Sequence, residues 1–511
     1  MSSAPDRYDA PMYSARVRVY LSFSINSRPA KTWGPIDGRG HAVFGWPMEE
    51  EAKLEFTITV NWRREDGSIA TTQLGTLEGG ACRSAKDVGL QLADAKPILG
   101  RLQEIVVSEQ LQRYCEAVRP CPRCHRRRHL RDYRRRRYDT VFGKLVVGAP
   151  RFDGCRHCGE RRITSPVSEL LTERVSPELL HLQVKLAAQL PYRQAASLLD
   201  ELLPETGGLN HATTRNRTLA VGKRIEQEIR EEIDNPCVVP EPAERMVVGI
   251  DGAFVKAGHT RAGQRHQFEI LTGRVETSER GGEAFAVVRD LDPYAKRRVQ
   301  AVLRRCGRGQ DTDLRILSDG EDGLRGVVGT WFGKKCEHRL DWFHVARRIA
   351  LIEKEFLYLP YGDDFQERLA AHWANLNSMK WMLWNDGVDM AEFGMTRVRI
   401  GLFQHALADP EANGERFESI EAKLDELRSY LHANRESVRG YAEAYRNGER
   451  ISTAHVESTV NQLINWRMCK KHQMGWSRAG AQDLLHVKTA IINGRLHRYT
   501  GHHSVPADIA A

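Results

Sequence analysis

Long apolar runs are missing from this chain, and none reaches the length needed to cross a bilayer. The first residues, MSSAPDRYDAPMYSARVRV, lack the basic, apolar and small-residue succession of a secretory signal. Both absences predict a soluble, cytoplasmic protein with no membrane partner. Cysteine is sparse as well. Ten in 511 residues are too few for a disulfide scaffold, and four of them fall in a metal-like pattern. The net charge is a mild +9, and the apolar fraction of 41% is ordinary, which allows large cores and argues against wholesale disorder. A chain of this length predicts about three or four domains.

The charge is unevenly spread. Between Arg101 and Arg162 stand 17 Lys and Arg against 7 Asp and Glu, so this stretch carries all of the net positive charge. A concentrated basic block points to a polyanion, nucleic acid before a membrane surface. The same stretch holds Cys121-Pro-Arg-Cys124 and Cys155-Arg-His-Cys158, with 30 residues between them. Each CxxC turn offers two thiolates from one knuckle, and two knuckles complete a tetrahedral Zn²⁺ site of the zinc-ribbon type. A pair of redox motifs is the alternative, but the surrounding βαβ pattern is absent. Arg126, Arg127 and Arg128, then Arg134, Arg135, Arg136 and Arg137, are interleaved with Tyr133 and Tyr138. An arginine run is commonly a solvated face. Mounted on a metal-stapled module, it reads as contact with a phosphate backbone.

Residues 1–83 show period-two stretches at Arg16–Leu21 and Leu54–Val60, with turns at Asp37-Gly38 and Asp66-Gly67, a small β-rich module. Residues 84–163 combine a helical lead-in, which Pro97 is expected to break in two, with the basic zinc ribbon. Residues 164–236 turn helical, with a leucine stripe from Leu179 to Leu190 and a second helix after Pro191. A Gly-Gly turn then leads through Asn210, a good N-cap, to a helix opening with Thr214, Arg215 and Arg217. Three short helices and a Gly turn read as a DNA-binding helix-turn-helix, with a small structural bundle as the alternative. Pro236, Pro240 and Pro242 mark a linker.

Beyond it, Arg245-Met-Val-Val-Gly-Ile-Asp251-Gly is a short, β-branched run ending in a carboxylate. The device recurs 68 residues on, at Leu314-Arg-Ile-Leu-Ser-Asp319-Gly. One such aspartate is ordinarily a strand-to-turn residue. Two of them, with strands at Gln267–Leu271 and Ala284–Val288 and a helix at Pro293–Cys306 between, predict adjacent strands that bring two carboxylates together to hold metal. Three strands, a helix, then alternating strand and helix is the order of an RNase H-like domain, begun in residues 244–344. Residues 345–450 read as an all-helical insertion and 451–511 as the domain's C-terminal part. In the helix predicted after Ser452 and Thr453, Glu457, Asn461 and Asn465 share a face, making Glu457 a third carboxylate candidate. Glu321 and Asp322 compete with it. A second zinc site from Cys336, His338, Asp341 and His344 is an open alternative, and Trp373, Trp381 and Trp384 are spaced as a helical core.

The motifs VVGIDG, LSDGEDGL, LDWFHVARRI and HVESTVNQLINWRMCKKHQMGWS, in this order, resemble bacterial insertion-sequence transposases with a DDE catalytic domain. More narrowly, the chain is similar to the IS-Kra group, whose relatives include Mutator-like transposases. The resemblance spans roughly residues 85–505. It implies catalytic, metal-holding Asp251, Asp319 and Glu457, with Asp341, His344 and Asn461 as auxiliary residues and Lys470 and Lys471 as DNA contacts. It also implies double-stranded DNA, as transposon ends and target, for a partner, a homo-oligomer on that DNA, and two Mg²⁺ or Mn²⁺ ions besides the structural Zn²⁺. The expected activity is cutting at terminal inverted repeats and joining the ends to target DNA. The alternatives are a catalytically inactive DNA-binding regulator and a nuclease without strand transfer.

Overall fold

β-branched and apolar residues alternating along Leu54–Arg63 (β2) and Ile69–Gly79 (β3) pair antiparallel, and Val19–Ile25 (β1) adds on the free side of β2. The turn between β2 and β3 is the one expected at Asp66-Gly67, where Asp66 Oδ1 accepts from the Ser68 amide at 2.9 Å. The computed structural model describes residues 19–25, 54–64, 66–79, 84–85, 88–204, 209–236, 241–258, 266–277, 282–291, 293–333, 335–359, 361–408, 414–453, 458–459, 461–469 and 475–502. Expectations at Arg16–Leu21 are covered only from Val19, and the turn at Asp37-Gly38 lies outside the described residues. By its contacts the chain divides into two units, residues 1–180 with 196–210, and residues 181–195 with 211–511. Among the described residues no helix is long and apolar enough to cross a membrane.

In the first unit, Leu92–Val118 (α1) is one continuous helix with Pro97 inside it. The expected break does not occur. A proline this near the start removes one backbone donor, and the remaining turns carry the helix through. The basic stretch then forms a hairpin, Leu130–Thr140 (β4) antiparallel to Gly143–Phe152 (β5). One face of the hairpin buries Leu145, Val147, Ala149 and Phe152 against Leu111 and Cys115 of α1 and Val167 of Pro166–Leu170 (α2). Pro177–Gln189 (α3) and Tyr192–Leu202 (α4) follow, and the division between the units falls within them.

The second unit is a mixed α/β body. After His211–Asp234 (α5), five strands form one sheet: Arg245–Lys256 (β6), Gln267–Thr277 (β7), Glu283–Val288 (β8), Asp313–Ser318 (β9) and Glu337–Leu340 (β10). Their order is β10-β9-β6-β7-β8, with β7 antiparallel to both β6 and β8, and β9 and β10 running parallel to β6. Parallel neighbours need a crossover. Ala295–Arg305 (α6) supplies the one into β9, and Asp322–Val327 (α7) with a π-helical turn at Val328–Phe332 supplies the one into β10. Met246, Val248 and Ile250 of β6 share a core with Val299, Val302 and Leu303 of α6.

A helix further along the chain, Arg478–Ile492 (α13), serves the sheet's edge. Asn493 accepts from the Ala284 amide at 2.9 Å and donates to its carbonyl at 3.0 Å, while Gln482 accepts from the Val288 amide at 2.7 Å. These side chains occupy backbone groups of β8 that an edge strand otherwise leaves open. At its first residue α13 is capped by Ser477, whose hydroxyl accepts from the Gly480 amide at 3.1 Å. Between β10 and α13 lie the helices Trp342–Phe356 (α8), Phe365–Asp386 (α9), Val388–Ala408 (α10), Gly414–Ala433 (α11) and Tyr441–Arg446 (α12), with their own core. Trp384 packs against that core, but Trp381 is 56% exposed and Trp373 38%. Helical spacing puts all three near one side, yet α9 and α10 enclose only part of it, so the expectation that all three are core residues fails. A last short helix, Leu496–Thr500 (α14), ends the described chain.

Candidate active site and metal centre

Each CxxC knuckle bends back on itself. His125 N donates to Cys121 O at 2.9 Å and Glu160 N to Cys155 O at 3.1 Å. The residue after each second cysteine adopts positive φ, 58° at His125 and 73° at Gly159, where glycine fits without strain and histidine is tolerated. The four Sγ atoms lie within 4.8 Å of one another, with Cys121–Cys158 at 3.9 Å and Cys124–Cys155 at 3.4 Å. Four sulfurs at about 2.3 Å from one zinc ion sit about 3.8 Å apart, so the donor set and its spacing fit Zn²⁺. Backbone N–H groups of Cys124 and Arg123 directed at Cys121 pull its thiol down to about 7. Cys158, hydrogen-bonded first to Cys124 and crowded by the other sulfurs, is pushed up to about 12. One cation among the four would let all of them ionise.

The seven arginines of this module divide by their contacts. Arg128 donates to Arg119 O at 3.0 Å and Thr164 Oγ1 at 2.8 Å, with its guanidinium 5.8 Å from the Phe152 ring. Arg136 donates to the carbonyls of Leu171 and Thr172, Arg127 pairs with Glu116, and Arg137 Nε reaches Asp139 at 2.9 Å. These hold the module together. Arg126, Arg134 and Arg135 are exposed and have no ion-pair partner among the described residues. Beside Arg135 on the outward side of the hairpin are Arg131, Tyr133 and Val146, all exposed.

In the second unit, three aspartates end at one level of the sheet. The last β6–β9 pair is Ile250 with Ser318, and the last β9–β10 pair is Ser318 with Leu340. Asp251, Asp319 and Asp341 each stand one residue further, on neighbouring strands about 4.8 Å apart. The β6 strand does not stop at Asp251, as the sequence led one to expect; it continues to Lys256 against β7, and only its pairing with β9 ends there. Asp341 is fully buried and caps α8, its Oδ1 accepting from Phe343 N at 2.8 Å and its Oδ2 from the Thr453 hydroxyl. His344 Nε2 is 3.6 Å from that same Oδ2.

Burial holds the Asp319 carboxyl above the ordinary range and Asp341 raises it further, against the Glu321 N–H, His344 and Arg348, which lower it. Glu321 is raised first by Asp319, then by burial and by Glu269. Anionic groups that raise one another at the end of a sheet fit a cation, and Asp251 and Asp319 have the hard oxygen donors that Mg²⁺ or Mn²⁺ takes. Among the described residues, however, only the four cysteines bring three or more ligand atoms within 4.8 Å. Glu269 escaped sequence reasoning. Its one signal is an acidic side chain between the buried Phe268 and Ile270, where it pairs with Arg289 at 2.7 Å.

Glu457, Lys470 and Lys471 lie outside the described residues. The Thr453 hydroxyl donates to Asp341. Asn461 opens a nine-residue π-helix, Asn461–Cys469, beside β6, where Cys469 Sγ lies 3.5 Å from Phe254 O. Wide turns of this kind are rare and gather at functional sites. Within it Arg467 is fully buried, its guanidinium 4.9 Å from the Tyr192 ring and 5.1 Å from the Trp476 ring.

The second zinc site does not form. His338 spends both ring nitrogens on hydroxyls, Ser318 at 2.9 Å and Ser437 at 2.8 Å, and Cys336 donates to Gly333 O at 3.0 Å. Of the residues expected to contact DNA from the helical segment 164–236, Arg215 is exposed, Arg217 donates to Gln183 at 3.0 Å, and Thr214 is fully buried. Thr214 therefore does not face a ligand. Its position is set by α5 packing along α13, with Thr214, Thr218 and Val221 on the inward side.

No family model and no curated protein matches the chain. Among solved structures, the Drosophila P element transposase strand transfer complex is similar at 12% identity and a TM-score of 0.24, covering 63% of this chain and 80% of that one. The functional reading therefore rests on the residues of the chain itself.

Proposed function

We propose that this protein is a metal-dependent DNA transposase of the DDE type, resembling the IS-Kra group, which cuts at terminal inverted repeats and joins the ends to target DNA. The observation that carries the reading is the register of Asp251 and Asp319. They lie side by side, one residue past the last shared pair of two parallel strands, in a sheet ordered β10-β9-β6-β7-β8. That order and direction of strands support an RNase H-like catalytic domain in residues 244–344 and 451–511, interrupted by a helical insertion at 345–450. Glu457 is the third carboxylate of this reading, with Asn461, Asp341 and His344 as auxiliary residues.

Held by these carboxylates, two Mg²⁺ or Mn²⁺ ions would supply an activated water or DNA 3′-hydroxyl and a stabilised leaving oxygen. The protein's own part is placement. Asp341, tied to the Phe343 amide and Thr453, stands beside His344, which lies near Asp319. The zinc ribbon in residues 84–163 presents Arg126, Arg134 and Arg135 to phosphates, and Arg215 in the helical segment 164–236, with Lys470 and Lys471, adds further contacts. The residue 1–83 module has no assigned role. A homo-oligomer on double-stranded DNA completes the reading.

The test is cleavage of a supercoiled plasmid carrying the element's terminal repeats, with Mg²⁺ or Mn²⁺. Wild type is expected to cut at the repeats, and Asp251→Asn, Asp319→Asn and Glu457→Gln each to lose cutting while still binding the DNA. Binding by wild type without any cutting would favour the regulator instead.

A further inference from the structure

The turn that carries Asp319 is held from outside its own strand. Ser318 is fully buried, and its hydroxyl donates to the Asp319 carbonyl at 2.9 Å. With that proton committed, the His338 Nε2–H donates to Ser318 Oγ at 2.9 Å, and Nδ1 accepts from the Ser437 hydroxyl at 2.8 Å. Burial keeps His338 neutral, pulling it down to about 4. One residue on, the Gly320 amide donates to the Tyr430 hydroxyl at 3.3 Å, and its carbonyl accepts from Asn434 Nδ2 at 3.1 Å. Asn434 is only 2% exposed and gives its second amide hydrogen to Tyr430 O at 2.9 Å. A Cβ at position 320 would lie 2.3 Å from Asn434 Nδ2, so the contact closes only over glycine.

Tyr430 belongs to α11, and Asn434 and Ser437 to the turn after it, more than a hundred residues from Asp319 in sequence. We infer that Asn434, with Tyr430 and the Ser437–His338–Ser318 chain, is a positioning device through which the helical insertion sets the Asp319 carboxylate for metal. It rests on the reading of Asp319 as a metal ligand. The insertion is then part of the active site's framework. None of these groups touches the reacting atoms; they fix the backbone on both sides of the ligand. Partners that orient a metal ligand typically contribute about 10–100-fold to metal affinity.

The experiment titrates Mn²⁺ into the zinc-loaded full chain, following free Mn²⁺ by electron paramagnetic resonance, with thermal melting measured beside it. Variants are Asn434→Ala, Tyr430→Phe and Asp319→Asn. Tyr430→Phe keeps the ring under the Arg348 guanidinium, 4.2 Å away, and removes only the acceptor of the Gly320 amide. Asp319→Asn is expected to abolish the site. Asn434→Ala is expected to weaken Mn²⁺ by about 10–100-fold, and Tyr430→Phe by less, with melting close to wild type for Tyr430→Phe. If Asp319→Asn loses Mn²⁺ while both clamp variants bind it as wild type does, the positioning role is overturned and the metal site stands. If Asp319→Asn binds Mn²⁺ like wild type, the reading of the site itself fails, and the clamp with it.

Discussion

Lys488 offers a sharp test of how the second unit is packed. Its side chain is buried on α13 and donates to Ala188 O at 2.9 Å, among the last carbonyls of α3, which have no partner within the helix. Burial, helped by the nearby Arg467, pulls the ammonium down to about 7 from an ordinary 10.5. That gap corresponds to about 5 kcal/mol disfavouring the charged form in the folded chain. The folded chain releases the proton near pH 7, whereas the unfolded chain keeps it until about 10.5. Between those values the unfolded state binds more protons, so stability rises with pH. Lys488→Met removes the charge and orphans the Ala188 carbonyl, a loss of about 1–3 kcal/mol. Below pH 7 the variant should be more stable than wild type by about 2–4 kcal/mol, and near pH 10, where about 1 kcal/mol of the penalty remains, less stable by up to about 2 kcal/mol. Pulse proteolysis in urea at several pH values, reading the fragment that contains Arg478–Ile492, measures both. Stability curves that run parallel for the two proteins, without crossing, would refute the argument.

Further outcomes follow from the other sites. The purified chain should carry one zinc ion, and Cys121→Ser or strong chelation should expose Leu130–Phe152 to proteases, as expected where metal binding supplies folding free energy. Arg135→Ala should lower the salt dependence of DNA binding by about one unit of slope, whereas Arg128→Ala should reduce thermal stability instead, because Arg128 is spent inside the module. His372 of α9 and His405 of α10 face each other at 3.0 Å, and burial, then His405, pulls His372 down to about 4. The unfolded chain therefore takes up a proton first as pH falls from about 6.5 to 4. Protection of the α9 and α10 amides, after correction for the intrinsic pH dependence of hydrogen exchange, should fall across that window, and His372→Phe should flatten the change.

What was legible in the sequence was what lies close together along it. The CxxC pairs carry their geometry in the spacing, because each knuckle is local. Asp251 and Asp319 could be picked out because two apolar strands carry the same Asp-Gly signature, and their parallel neighbourhood follows from one helical crossover. Contacts across long separations left no such mark. Nothing near Asn434 announces that it reaches Gly320, and only the packing of α11 against the end of the sheet brings them together. Sequence also gives helical periodicity without saying which face is inward. Periodicity puts Thr214 on a reading face, yet it is buried, and Trp381 in a core, yet it is exposed. Arginine counts likewise predicted a basic surface but could not separate Arg126, Arg134 and Arg135 from the arginines that bind their own module. The π-helical winding of Asn461–Cys469 has no signal in residue spacing, since an α-helical pattern over the same residues reads almost identically.

The most direct test of the central claim is the joining step with a pre-cut end. A labelled duplex of the element's terminal repeat, bearing a free 3′-hydroxyl, is incubated with plasmid DNA, Mn²⁺ and the full chain, and joined product is counted for wild type, Asp251→Asn and Asp319→Asn. Joining by wild type, dependent on Mn²⁺ and lost in both variants while the labelled duplex is still bound, is the predicted result. Joining that persists in either variant would show that the two side-by-side aspartates do not form the active site.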